Sequence, residues 1–107
     1  FLYNNGKIEA LKNGCPGLGM LDDLPLPNIG KVKIGPKATL VCYTDGLVEV
    51  ENNSNLEYGT ERIVYLLEKH SKNSMDYLNN SLIADLEIFK EEQSYVDDIA
   101  ILSCFFA

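Results

Sequence analysis

Two short apolar runs, each abutting an acidic cluster, constrain this chain more than any other feature. Ala38-Thr39-Leu40-Val41-Cys42-Tyr43 leads directly into Thr44-Asp45-Gly46. Asp97-Asp98 leads directly into Ile99-Ala100-Ile101-Leu102-Ser103-Cys104-Phe105-Phe106. Runs this short, rich in β-branched and aromatic residues, predict buried strands. If the two strands lie antiparallel, both acidic clusters sit at the same end of the pair. Carboxylates placed there can converge while remaining open to water. That suits a hard divalent cation, which takes oxygen ligands.

The rest of the chain reads as one small α+β domain. Its 107 residues are 46% hydrophobic and 23% charged, a globular mix long enough to bury a core. Phe1 to Asn4 and Lys7 to Leu11 predict two strands joined at Asn4-Asn5-Gly6, because Asn-Gly favours the positive φ of a hairpin turn. Gly14-Cys15-Pro16-Gly17-Leu18-Gly19 excludes a regular element. Leu24 to Pro27 is extended, since a proline disfavours helix in the residue before it. Lys31-Val32-Lys33-Ile34 alternates at strand period, and Gly35-Pro36 turns into the first apolar run. Leu47 to Val50 reads as a strand or a short irregular segment, and Asn52 to Asn55 as a loop. A helix capped by Thr60 is expected to run to about His70, with Ile63, Leu66 and Leu67 on its apolar face. A second is expected from Asn73 or Ser74 to about Glu91, with Met75, Leu78, Leu82, Leu86 and Phe89 at helical spacing. Gln93 to Val96 loops into the last strand.

Charge and cysteine usage exclude several roles. A general nucleic-acid binder needs a basic face, so the net charge of -7 argues against DNA or RNA as a partner. The longest apolar run, Ile99 to Ala107, is too short to span a bilayer. Cys15, Cys42 and Cys104 are odd in number and lack C-x-x-C spacing, which points to a reducing cytoplasm without a disulfide framework or zinc site. Cys42 and Cys104 are expected to be small buried hydrophobes within the strands. His70 is explained by its place near a helix C-terminus, and Glu91-Glu92 by a solvated helix end. The chain begins with Phe1, already in strand-like sequence, as expected of the C-terminal piece of something longer.

Taken singly, Asp45-Gly46 has the plain reading of a turn and Asp97-Asp98 that of a solvated loop. Together they are more specific, because adjacent carboxylates repel and a cation compensates them. A receiver domain needs its acidic pair after an early strand, not before the last one. A haloacid-dehalogenase-like phosphatase would need its nucleophilic aspartate where Tyr43 stands.

Leu40-Val41-Cys42-Tyr43-Thr44-Asp45-Gly46-Leu47-Val48-Glu49 instead resembles the "LxLYTDGxxE" stretch of the PPM family of metal-dependent protein serine/threonine phosphatases. The similarity is to its bacterial branch of stage II sporulation protein E and the sigma-factor regulator phosphatases. Gly14 to Gly19 is similar to that family's "GxPLG" loop, Tyr58-Gly59-Thr60-Glu61-Arg62 to its "FGxERL" helix start, and Asp97 to Leu102 to its "DDITLL" ending. The departures are Gly35-Pro36-Lys37 in place of "PGD", Ala100 in place of threonine, and Cys15 and Gly17 in the glycine loop.

The resemblance implies a partial PPM-type β-sandwich flanked by helices, mostly antiparallel, with two consecutive helices before the last strand. Residues 1–107 would be its C-terminal portion. It implies hydrolysis of phosphoserine or phosphothreonine on a regulatory phosphoprotein, with a binuclear Mn²⁺ or Mg²⁺ centre. Asp45 and Asp97 match ligand positions. Asp98 matches a position just outside the ligands, and Thr44 and Gly46 support the site. The family's upstream half, with the Asp-Gly pair that bridges the two metals, is absent, so an inactive fragment is expected. A noncatalytic interaction module is the alternative. Apolar strands deprived of cover are expected to pair two copies into a homodimer.

Overall fold

Asn5 and Gly6 set the first turn. Their φ angles of 50° and 77° are both positive, as a two-residue hairpin turn of the primed type requires. The turn joins β1 (Leu2–Asn4) to β2 (Lys7–Glu9), with Asn4 opposite Lys7. The expected extension of β2 to Leu11 does not form. The computed structural model describes all residues from Phe1 to Ala107.

From Ala10 to Lys37 the chain has no strand or helix, so the strand expected at Lys31–Ile34 is absent. All four of its residues are exposed. Alternation alone supplies no partner edge, and β1 is already paired on both sides. The segment is anchored through Asn4, whose Nδ2 donates to the Lys33 carbonyl at 2.9 Å while its Oδ1 accepts from the Gly35 amide at 3.0 Å.

The first apolar run forms β3 (Ala38–Tyr43) and the last forms β4 (Ile101–Phe106). The strands make one sheet in the order β2-β1-β3-β4, antiparallel throughout. Between β3 and β4 lie a single turn, α1 (Asp45–Val48), and two long helices, α2 (Thr60–His70) and α3 (Met75–Lys90). The Asp-Gly pair thus opens a helical turn, not a hairpin, and Leu47 belongs to that turn instead of to a strand.

The long helices sit where the apolar spacing puts them. Ile63, Leu66 and Leu67 of α2 and Leu78, Leu82 and Leu86 of α3 are buried against Val41, Leu47, Val50 and Tyr58. Burying each leucine side chain contributes about 1.5–3 kcal/mol. Ser74 caps α3, its Oγ accepting from the Tyr77 amide at 3.2 Å. The start of α2 differs from expectation. Thr60 is its first helical residue, and the cap position is Gly59, at φ 74°. That left-handed conformation suits glycine, which has no side chain to make a cap bond.

The helices cover one face of the sheet. Val41 belongs to their core, and Ser103 Oγ donates to Asn79 Oδ1 of α3 at 2.6 Å. Leu40, Cys42, Leu102 and Cys104 take the opposite face by alternation. There Cys42 is exposed, Cys104 is half-buried and Leu102 is 62% exposed. The expectation that both thiols are buried therefore fails, since that face is covered at Leu2 and Ala38, both fully buried, but not at Cys42 and Leu102. All three cysteines are free, and no helix is long and apolar enough to cross a membrane.

Candidate functional site

The β3–β4 ladder brings the two acidic clusters together. Tyr43 pairs with Ile101 in the last register of the ladder, so Thr44-Asp45-Gly46 and Asp97-Asp98 flank the same end. The ladder then continues one step on different atoms. The Thr44 amide donates to the Ala100 carbonyl at 3.1 Å. The Thr44 Oγ1 accepts from the Ala100 amide at 3.0 Å and donates to the Asp98 carbonyl at 3.1 Å. Beyond that one backbone bond, the contacts from Ala100 and Asp98 to the end of β3 run to a side chain.

Gly46 completes the junction. A Cβ on this residue would stand 2.3 Å from the Asp98 carbonyl oxygen and 3.4 Å from the carbonyl carbon of Asp97. The requirement for glycine is close backbone approach, since Gly46 is not among the residues of positive φ. Gly46 is buried, whereas Thr44, Asp45, Asp97 and Asp98 are exposed. Asp97 is shaped locally, its Oδ1 accepting from the Asp98 amide at 2.7 Å. The ion pairs of the molecule are Arg62–Asp85 and Lys90–Glu87, and none of the three site aspartates takes part in one. The Tyr43 phenol is held above its ordinary pKa, first by burial and then by the negative charge of Asp45.

Beside this junction lies a cleft of about 330 Å³, lined in part by Gly46, Glu49, Glu51, Glu57, Gln93 and Asp97. Sequence reasoning did not gather these glutamates. Glu51 and Glu57 meet across an isolated bridge that closes the Asn52 loop. There Asn52 Oδ1 accepts from the amides of Ser54 and Leu56 at 2.9 and 3.0 Å. An asparagine two and four residues ahead of the amides it binds is the available signal, since this residue type forms such side-chain turns.

A hard divalent cation fits these residues in kind. The donors are carboxylate oxygens, open to solvent, on backbone held close by Gly46. In number they fall short, since no group of three or more Asp, Glu, His or Cys side chains converges to hold a metal. Asp45 and Asp97 thus fit as members of a shell, not as a whole shell.

The four-stranded antiparallel sheet and its helical layer are those of part of a PPM-family phosphatase fold. The chain belongs to the Stage II sporulation protein E (SpoIIE) family, whose model matches residues 1–106. In structure it is similar to the SiaA-PP2C domain of Pseudomonas aeruginosa, with a TM-score of 0.67 and 26% sequence identity. That similarity covers 71% of this chain and 31% of the other, so the match spans about a third of the solved domain's length. Comparison with curated proteins gives no match.

Proposed function

We propose that this chain contributes to the active site of a metal-dependent phosphatase acting on phosphoserine or phosphothreonine in a cytoplasmic regulatory protein of bacterial signalling. The observation that carries this reading is the packing of Gly46 against the Asp97–Asp98 backbone, which brings the two acidic clusters to one place. Asp45 and Asp97 would each hold a Mn²⁺ or Mg²⁺ ion through a carboxylate oxygen. When bound, a pair of such ions supplies hydroxide at neutral pH and offsets charge on the phosphoryl oxygens. The remaining ligands come from outside these residues. Asp98 would orient a water or a neighbouring group, as carboxylates just outside a metal's ligands do. Thr44 and Gly46 keep the two backbone segments in contact.

The test uses the full-length protein. Asp45→Asn or Asp97→Asn removes a charge and conserves shape, and should abolish Mn²⁺-dependent turnover of a phosphoserine peptide with little loss of fold. Asp98→Asn should be milder. Equal turnover by wild type and Asp97→Asn would refute the assignment. One observation favours a noncatalytic interaction module instead: no three metal-ligating side chains converge within the chain. Under that reading Mn²⁺ neither binds nor activates the full-length protein.

A further inference from the structure

We propose that Thr44 is a positioning residue whose hydroxyl fixes Asp97 relative to Asp45; this rests on the metal-site reading above. The hydroxyl bonds in both directions. It accepts from the Ala100 amide at 3.0 Å and donates to the Asp98 carbonyl at 3.1 Å, across 56 and 54 positions of sequence. Both bonds fall beyond Tyr43↔Ile101, the final register of the ladder. Without them, nothing in the sheet holds the Asp97–Ala100 segment to the end of β3 except the bond from the Thr44 amide to the Ala100 carbonyl. Ile99 packs against the core and holds the segment in place, but neither it nor that single bond fixes which way the Asp98 carbonyl turns.

The three contacts divide the task. The Thr44 amide sets the distance between the chains. Its hydroxyl fixes the orientation of the Asp98 peptide. Gly46 leaves the space that the Asp98 carbonyl occupies, 2.3 Å from where a Cβ would stand. Asp97 is the residue before Asp98, and its own carboxylate accepts from the Asp98 amide at 2.7 Å. The direction of the Asp97 side chain is therefore linked to the Thr44 hydroxyl through Asp98, whose carbonyl takes one bond and whose amide takes the other.

The clasp is exposed. Water can satisfy both backbone groups when the hydroxyl is removed, so no buried group is orphaned. A purely structural role would appear as lost stability; a positioning role appears as lost metal affinity in a protein that still folds. Serine keeps the hydroxyl, and valine keeps the shape without it.

The experiment compares Thr44→Val, Thr44→Ser and Asp45→Asn in the full-length protein by Mn²⁺ calorimetry, thermal melting and amide exchange at Ala100. Thr44→Val should lose Ala100 protection and bind Mn²⁺ about tenfold or more weakly, the usual cost of removing a group that orients a metal ligand. Its melting temperature should stay close to wild type, and Thr44→Ser should restore affinity and protection. Thr44→Val with wild-type affinity, or Thr44→Ser as impaired as Thr44→Val, overturns the proposal. If Asp45→Asn also leaves Mn²⁺ affinity unchanged, the metal-site reading itself falls. If Asp45→Asn abolishes binding and Thr44→Val does not, the role of Thr44 alone falls.

Discussion

The Tyr58 hydroxyl donates a 2.8 Å hydrogen bond to Asp85 Oδ2, joining the end of the Asn52 loop to the middle of α3. Arg62 of α2 reaches the same oxygen at 3.2 Å and lies over the Phe89 ring at 4.6 Å. Burial, then the bond to Asp85, holds the Tyr58 phenol well above its ordinary value. Tyr58→Phe should therefore cost about 0.5–1.5 kcal/mol at neutral pH, since Asp85 keeps Arg62. The pH dependence has a definite sign. The folded phenol keeps its proton more tightly than the unfolded one, so its contribution is complete below about pH 10 and falls as pH rises beyond that. Urea midpoints at pH 8 and pH 11 should fall more for wild type than for Tyr58→Phe. Equal declines would remove Tyr58 as a cause.

Gly46→Ala sets two effects against each other. Alanine favours helix over glycine by about 1 kcal/mol. The added methyl, however, meets the Asp98 carbonyl at 2.3 Å, and backbone cannot rotate aside as a side chain does. Overpacking of this kind costs about 1–3 kcal/mol. Sterics should win: the melting temperature drops, and the Asp98 and Ala100 amides shift in NMR spectra. Unchanged shifts would mean the approach is looser than described.

The chain on its own should bind Mn²⁺ weakly and show no useful phosphatase activity. Asp45 and Asp97 are too few to hold two cations, and a cation short of protein ligands keeps its waters and exchanges freely. Calorimetry giving tight two-site binding to residues 1–107 would contradict a shared site.

The chain should also self-associate. β4 is an edge strand of the sheet and carries no charged residue. Leu102, at 62% exposure, and the half-buried Leu40 lie on the face away from the helices. Open edges and apolar faces recruit another copy, and a two-fold dimer is the simplest closed arrangement. Light scattering at micromolar concentration should report a dimer that Leu102→Lys returns to monomer. A wild-type monomer with little hydrophobic dye binding would count against this.

What the sequence revealed follows from which signals are local. The faces of α2 and α3 were legible because helical spacing records burial directly, from Ile63 to Leu86. The Asn5-Gly6 turn was legible because its backbone demands those residue types. Lys31–Ile34 misled because alternation describes a strand's faces but not its partner. Cys42 misled because an apolar strand reads as buried on both sides even where one side is covered only in part. The order of the acidic clusters was readable, and their meeting was inferred from antiparallel pairing. The Thr44 clasp was not legible, because its partners lie 54 and 56 positions away and are backbone groups that leave no mark in residue type.

The separation between β3 and β4 also bears on the order of folding events. α2 and α3 meet through the short connection Ser71–Ser74, so their contacts close a small loop. The β3–β4 ladder closes a far longer one, and its entropy must be lost before its contacts reward it. Docking of β4 is therefore expected to come after the helical pair, with the acidic clusters coming together in that late step. A chain stalled before it would keep most of its helical signal and lack the junction. Protection of the Ala100 amide is thus a stricter gauge of complete folding than helix content.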